Sequence, residues 1–393
     1  MPRAAIQRGA IAIGATLAIG AVVQAGIAQT VARVDPALAA RISPGNARIA
    51  LAAARAAVDS GGDVSGPDVR ALVKTTLARD ATLPGAIELR AVDLGATGNA
   101  RAQARLFDLS GAISRRSLPT RLWLIQRSVD RGDVGGALRD FDVALRTSAA
   151  APPVLFPVLA SATTDPGLTA PIARMLDRTS DWRLMFLNYA VSQGDAPGIA
   201  QVVLAMRDRA FISANGIDHA LVERFVSLRS FAAAGRVRDA FAGGTPRPLV
   251  ADGSFADPTA GSPFGWSLNN GGESGAERQV AAGGSILAYR AQPGRGGQVA
   301  AQLLLLAPGN YRLATIAASN ATDAPPYWSL VCGETDGAGL AQLDVGSQNH
   351  GVSTVDFTVP SGCVGQWLTL NLRPGGTTGG QTGAIASVAV TRR

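Results

Sequence analysis

The sequence predicts a multidomain α plus all-β protein, with an apolar N-terminal helix, an α-solenoid of helix pairs and a C-terminal antiparallel β-sandwich. Three observations predict it. Up to Gly243, Ala, Leu and Arg dominate and apolar residues recur at helical spacing. Beyond Thr245, short runs alternate apolar and polar residues between clusters of Gly, Pro, Asn and Asp. The change falls at Gly243-Gly244, and 393 residues are more than a single core usually serves.

The first element is the N-terminal apolar run. Arg3 and Arg8 precede an uncharged stretch from Gly9 to Ala28, broken only by Thr16 and Gln24. A helix of that length can cross a bilayer. Residues 1–8 then form a short basic cytoplasmic segment and 9–32 a transmembrane signal-anchor. The positive-inside rule places the bulk of the chain in the periplasm of a bacterial inner membrane. A cleaved signal peptide is the alternative, because Val23-Gln24-Ala25 and Gly26-Ile27-Ala28 offer small residues for cleavage. The chain would then be secreted or periplasmic.

Residues 33–243 form the second element. Gly98-Asn99 is followed by Phe107, and Gly132-Asp133 by Phe141, each pair offset from the other by 34 positions. Around Gly132 the pattern is fuller: Leu124 in a first helix, Gly132 at the turn, then Ala137, Phe141 and Ala144 in a second. Glycine permits the sharp turn, Ala137 the close approach, and Phe141 fills the groove toward a neighbour. This segment resembles a tetratricopeptide repeat. The resemblance implies stacked helix pairs with a shared core and a concave surface for a protein partner. Pro152, Pro153, Pro157 and Pro166 interrupt the period, which predicts a shortened or distorted unit there.

The net charge of +7 divides unevenly. The chain up to Gly243 has 28 basic and 20 acidic residues, and the remainder has 8 and 9. Lys74 is the sole lysine, so the arginine bias reads as composition, and no nucleic-acid partner is expected. Arg115, Arg116, Arg121, Arg127, Arg131 and Arg139 make the middle of the array basic, either as a solvated face or as a dock for an acidic partner.

Residues 244–393 form the third element. Ten candidate strands are Val250–Ala256, Gly265–Leu268, Ser285–Arg290, Gln298–Leu306, Tyr311–Ala318, Tyr327–Cys332, Leu340–Val345, Thr354–Val359, Trp367–Leu372 and Ala384–Thr391. That number in so short a span suits a jelly roll or related sandwich. Cys332 and Cys363 both lie here, 31 positions apart, and fit a structural disulfide of an exported domain. A metal pair or two buried thiols are the alternatives. Closing such a loop contributes about 3 kcal/mol by chain entropy.

The order of small motifs adds a resemblance. Gly253-Ser254-Phe255 precedes Pro263-Phe264-Gly265-Trp266, Ala307-Pro308-Gly309-Asn310-Tyr311 opens a central strand, Trp328 precedes Cys332, and Phe357-Thr358-Val359-Pro360 closes another strand. This half resembles jelly-roll carbohydrate-binding modules. Their frequent closing acidic strand is absent from Gly383 to Val388, so the resemblance does not extend to a structural calcium. It implies a sugar platform, because flat rings stack on sugar C–H faces while amides bond the hydroxyls. The candidates are Trp266, Asn269, Asn270, Tyr289, Tyr327 and Trp328, and for each of the rings, packing in the core is the alternative and the more frequent role. Adjacent Tyr327 and Trp328 point to opposite sheet faces, so only one can line a site.

No catalytic constellation is expected. His219 and His350 lack a Ser or Cys partner at usable spacing, Glu334-Thr335-Asp336-Gly337 reads as a hairpin turn rather than a calcium loop with Asp344, and Gly375 to Gly380 lacks the lysine of a phosphate loop. No cofactor or metal is called for. The expectation is a non-enzymatic periplasmic adaptor whose helical repeats bind a protein and whose sandwich binds a polysaccharide, serving exopolysaccharide or capsule assembly or export. The alternatives are a scaffold without sugar binding and a secreted glycan-active protein with a binding module.

Overall fold

The computed structural model describes residues 23–178, 181–242, 248–259, 261–281, 284–320, 324–335, 338–346, 351–375 and 380–393. They fall into two compact units, one of residues 23–162 and 170–186, the other of 163–169 and 187–393. Helix α1 spans 23–31. There follow α2 (Pro36–Ile42), α3 (Ala47–Asp59), α4 (Pro67–Arg79), α5 (Pro84–Ala96), α6 (Ala100–Ile113), α7 (Leu118–Asp130) and α8 (Val134–Thr147). Next come α9 (Pro152–Ala162), α10 (Pro166–Leu176), α11 (Arg183–Gln193), α12 (Ala196–Ala205), α13 (Arg209–Ala214), α14 (Ile217–Ser227) and α15 (Phe231–Phe241).

In the helical unit α3 packs on α4, α5 on α6 and α7 on α8. Local chemistry sets these pairs. Gly98 and Gly132 turn the chain with φ of 82° and 69°, and the next residues, Asn99 and Asp133, cap α6 and α8 by accepting from Ala102 and Gly136 N–H. Helices α5, α7 and α9 begin at residues 84, 118 and 152, so 34-residue spacing continues into the proline-rich segment. Pro152 and Pro166 begin helices there, and α9 and α10 have 11 residues each where α7 and α8 have 13 and 14. The helices there are shorter, but the expected break in the 34-residue spacing does not occur. Ala137, Phe141 and Ala144 are buried, and Leu124 lies against Gly111 of α6.

The basic stretch is only partly a free surface. Arg121 is buried, donating to Asp140 at 2.7 Å and to the Gly111 carbonyl at 3.1 Å. Arg127 grips Asp108 through two nitrogens and lies over the Trp123 ring, which stacks on Phe107 at 4.6 Å. These two arginines join helices.

The expected single-pass placement in an inner membrane is corrected. Among the described residues no helix is long and apolar enough to cross a membrane. The end of the expected span is α1, where Ala28 is fully buried against Ala39 and Ile49 and the Gln24 amide donates to the Ile42 carbonyl at 2.6 Å. Those residues pack on protein; residues 1–22 lie outside the described ones.

The second unit holds α12 to α15 and a sandwich of ten strands: β1 (Ser267–Leu268), β2 (Ser274–Ala281), β3 (Gly284–Ala291), β4 (Gly297–Leu304), β5 (Gly309–Asn320), β6 (Tyr327–Cys332), β7 (Gly339–Asp344), β8 (Val352–Val359), β9 (Gln366–Leu372) and β10 (Gln381–Arg392). Two antiparallel five-stranded sheets run β1-β4-β9-β6-β7 and β2-β3-β10-β5-β8. Leu330, Leu368 and Leu370 from the first meet Leu313, Ile385 and Val388 from the second in one core. Residues 250–256 form turns, not the expected strand, and β2 is a strand the apolar pattern did not announce.

The expected boundary at Gly243-Gly244 lies outside the described residues, between α15 and β1. The compact division does not follow it, because α12 to α15 belong with the sandwich. Phe231, at the start of α15, explains how. Its ring occupies a slot walled by Gly333 and Gly365, which are joined by a 2.8 Å backbone hydrogen bond. A Cβ on Gly333 would stand 2.6 Å from the ring edge, and one on Gly365 would overlap the ring. Cys332 and Cys363 beside these glycines form a disulfide. Arg238 of α15 lies 4.2 Å above the Phe264 ring.

Candidate functional site

Strand alternation decides the fate of the expected platform. Trp328 is wholly buried between the sheets, its indole donating to Thr315 Oγ1 of β5 at 3.1 Å. Trp266 packs against it with ring centroids 5.5 Å apart, and donates to the Asp252 carbonyl at 2.9 Å. Tyr289 is also buried, which pushes its phenol up to about 12. All three rings pack in the core; Trp266 and Trp328 are thereby removed from a solvent-facing stacking role, while Tyr289 also lies in the lining of the trough described below. Tyr327 is half-buried on the outer face of the other sheet, beneath the Arg373 guanidinium at 4.5 Å. Asn269 holds a turn, accepting from Gly271 N–H at 3.1 Å.

Asn270 leads to a different place. Its Oδ1 accepts from Arg290 Nη2 at 3.2 Å, beside a trough of about 450 Å³ on the outer face of β2, β3, β10 and β5. Two cross-strand rows build it. One runs Gly275, Arg290, Thr382, and the other Glu277, Ala288, Ala384, Ser319. The second row crosses three strand spacings, roughly 14 Å. Ala288 and Ala384, with Ile286, give a low apolar floor. Glu277, Gln279, Arg290, Ser319 and Thr382 supply the polar rim. The Gln279 amide donates to Glu277 at 2.8 Å, fixing one side of the rim.

Glycine keeps the trough's inner wall thin. Tyr289 lies across Gly383, where a Cβ would overlap its hydroxyl. Arg278, between the two rim residues of β2, turns to the opposite face and pairs with buried Asp252 at 3.2 Å. Glu277 and Gln279 thus stand on the free face of β2 and Arg278 on the anchored one, a division that the uniformly polar run Glu277-Arg278-Gln279 does not show in the sequence. Carboxylate, guanidinium, amide and hydroxyl groups around a small apolar floor can bond a polyol in several directions.

The remaining candidates are structural or undescribed. Glu334 accepts from Val364 and Gly365 N–H at 3.2 and 3.1 Å, and Asp344 accepts from Arg373 at 2.6 Å. Cys332, Glu334 and Cys363 lie together, but the two sulfurs are bonded to each other and not available as thiolate ligands. His219 meets Glu223 at 3.3 Å on the surface of α14. His350, Asp336, Gly337 and residues 376–379 of the glycine-rich loop lie outside the described residues.

No family model matches the chain, and no curated protein matches it. Solved structures similar to part of it include carbohydrate-binding modules. TmCBM61 in complex with beta-1,4-galactotriose is 11% identical with a TM-score of 0.26, over 38% of this chain and all of that one. The CBM22-1 xylan-binding domain of Xyn10C from Paenibacillus barcinonensis is 9% identical with a TM-score of 0.25, over 38% of this chain and 97% of that one. The enzymatically active domain of bacteriophage CBA120 tailspike protein 4 is 15% identical with a TM-score of 0.29, and this chain covers 21% of its length.

Proposed function

We propose that the sandwich unit binds a glycan in the trough of β2, β3, β10 and β5 without chemical turnover. The observation that carries this reading is the pairing of an alanine floor with five polar side chains on one face. Sugars present both C–H patches and hydroxyls, and the trough answers both. The helical unit docks a protein partner, supported by its paired helices and by exposed Arg115, Arg116 and Arg131. Together they suit a non-enzymatic adaptor in exopolysaccharide or capsule assembly or export. Affinity electrophoresis of the full chain through acidic and neutral polysaccharides tests the glycan part. Retardation by at least one polymer is expected, and unchanged mobility in all of them removes it. Turnover of any glycan by the purified protein would contradict the non-enzymatic part.

A further inference from the structure

A second cavity, in the helical unit, has a charge pattern that glycan binding does not use. It measures about 510 Å³, with Val73 and Leu77 of α4 and Leu89 of α5 among its apolar walls. Its charged lining is Arg70 and Lys74 from α4 with Arg90 and Asp93 from α5. Asp93 is almost wholly buried, and its Oδ1 takes two bonds from Arg70, from Nε at 2.9 Å and Nη2 at 2.6 Å. Its other oxygen accepts from Arg90. One carboxylate thereby holds two guanidiniums at the mouth, each 44% exposed, with further N–H donors to offer.

Lys74 adds a third cation. It follows Arg70 by one helical turn, is exposed, and has no carboxylate partner among the described residues. Asp63 lies near Arg70 but outside the lining, accepting from the Ser65 N–H at 2.8 Å. The lining therefore keeps an excess of two positive charges over a partly closed apolar space. A cationic ligand would be repelled, and a wholly polar anion would leave the walls of Val73, Leu77 and Leu89 uncovered. That the sole lysine of an arginine-rich chain stands here fits a compact carboxylate contact.

We infer that this cavity binds a small anionic amphiphile, its carboxylate against Arg70, Lys74 and Arg90 and its hydrocarbon body between Val73, Leu77 and Leu89. The inference is independent of the glycan reading, which concerns the other unit.

Calorimetric titration of the full chain with octanoate tests it, with octylammonium as a probe of the same body and opposite charge. Octanoate should bind at one site, more weakly as salt rises, and octylammonium should give no heat of binding. Lys74→Gln should weaken octanoate about fivefold, the scale of one partly exposed ion pair. Ala78→Trp, at an exposed position of the lining, should abolish binding by filling the cavity while leaving the charges in place. Circular dichroism of both variants confirms that they fold. Equal binding of octylammonium, an unchanged affinity in Lys74→Gln, full binding in Ala78→Trp, or no octanoate binding to the parent chain would each overturn the inference.

Discussion

The Arg290 guanidinium donates to the Asn270 side-chain oxygen at 3.2 Å, tying the loop before β2 to the C-terminal end of β3 at the edge of the trough. Arg290 stands between Thr382 and Gly275 across the sheet, and the bond holds its guanidinium near Asn270. Removing either partner frees the other. Arg290→Ala should weaken glycan binding about tenfold, and Asn270→Ala by less, since it removes the support and leaves the donor. Titration of both variants with whichever polysaccharide retards the parent chain checks the order. Because both residues are exposed, melting temperature should stay within about 1 °C of the parent.

Trp328 should behave oppositely. Trp328→Phe keeps most of the apolar volume but removes the donor to Thr315, whose hydroxyl keeps only its own bond to the Ser387 carbonyl, and leaves part of the indole's space unfilled. A loss of about 1–3 kcal/mol in unfolding free energy is expected, with glycan affinity unchanged. Chemical denaturation alongside titration separates the two effects.

The slot around Phe231 makes a further claim about the fold. Gly365→Ala places a methyl group in the ring's position, so α15 must shift off the sandwich or the ring must turn. The expected cost is about 1–3 kcal/mol. Phe231→Ala, itself costly because the ring is buried, should cost less in the Gly365→Ala background than in the parent, because the overlapping ring is gone. Denaturation of the single and double variants reads this coupling.

Asp93 gives the helical unit an acid limit. Hydrogen bonding from Arg70 comes first, with further help from the nearby Arg70 and Arg90 charges, and together they hold its carboxyl below the usual range despite burial. The folded chain therefore binds this proton less readily than the unfolded chain, so protonation favours unfolding. Its contribution is complete above about pH 4, the unfolded value, and is lost as pH falls through the lower folded value. Scanning calorimetry from pH 6 downward should show a shallower decline below pH 4 for Asp93→Asn than for the parent, alongside a lower melting temperature at pH 6 by about 2–4 °C.

Much of this architecture was legible because backbone requirements leave marks. Gly98 and Gly132 both take positive φ at turns 34 residues apart, and their neighbours Asn99 and Asp133 cap the following helices, so these turns and helix starts can be read from residue types directly. Strands with apolar residues on their inner face, such as Tyr327–Cys332, were found at their observed bounds. Strand β2 was not, because Glu277-Arg278-Gln279 has no apolar alternation; it lies at a sheet edge and one of its faces is free. The trough was missed with it. For the aromatic residues both roles stayed open in the sequence: in a sandwich the largest rings close the space between sheets, as Trp266 and Trp328 do, and composition cannot say which face a ring takes. The Phe231 slot was illegible because glycines far apart in sequence acquire meaning only when a third residue sits between them.

The central claim is that the outer face of β2, β3, β10 and β5 is the glycan-binding face. The most direct test compares two full-length variants with the parent by titration with one retarding polysaccharide. Glu277→Ala/Thr382→Ala removes two rim groups of the trough, and Tyr327→Ala removes the half-exposed ring of the opposite sheet. Loss of binding in the first with retention in the second is the predicted result. Retention in the first with loss in the second would contradict the account and move the site to the other face.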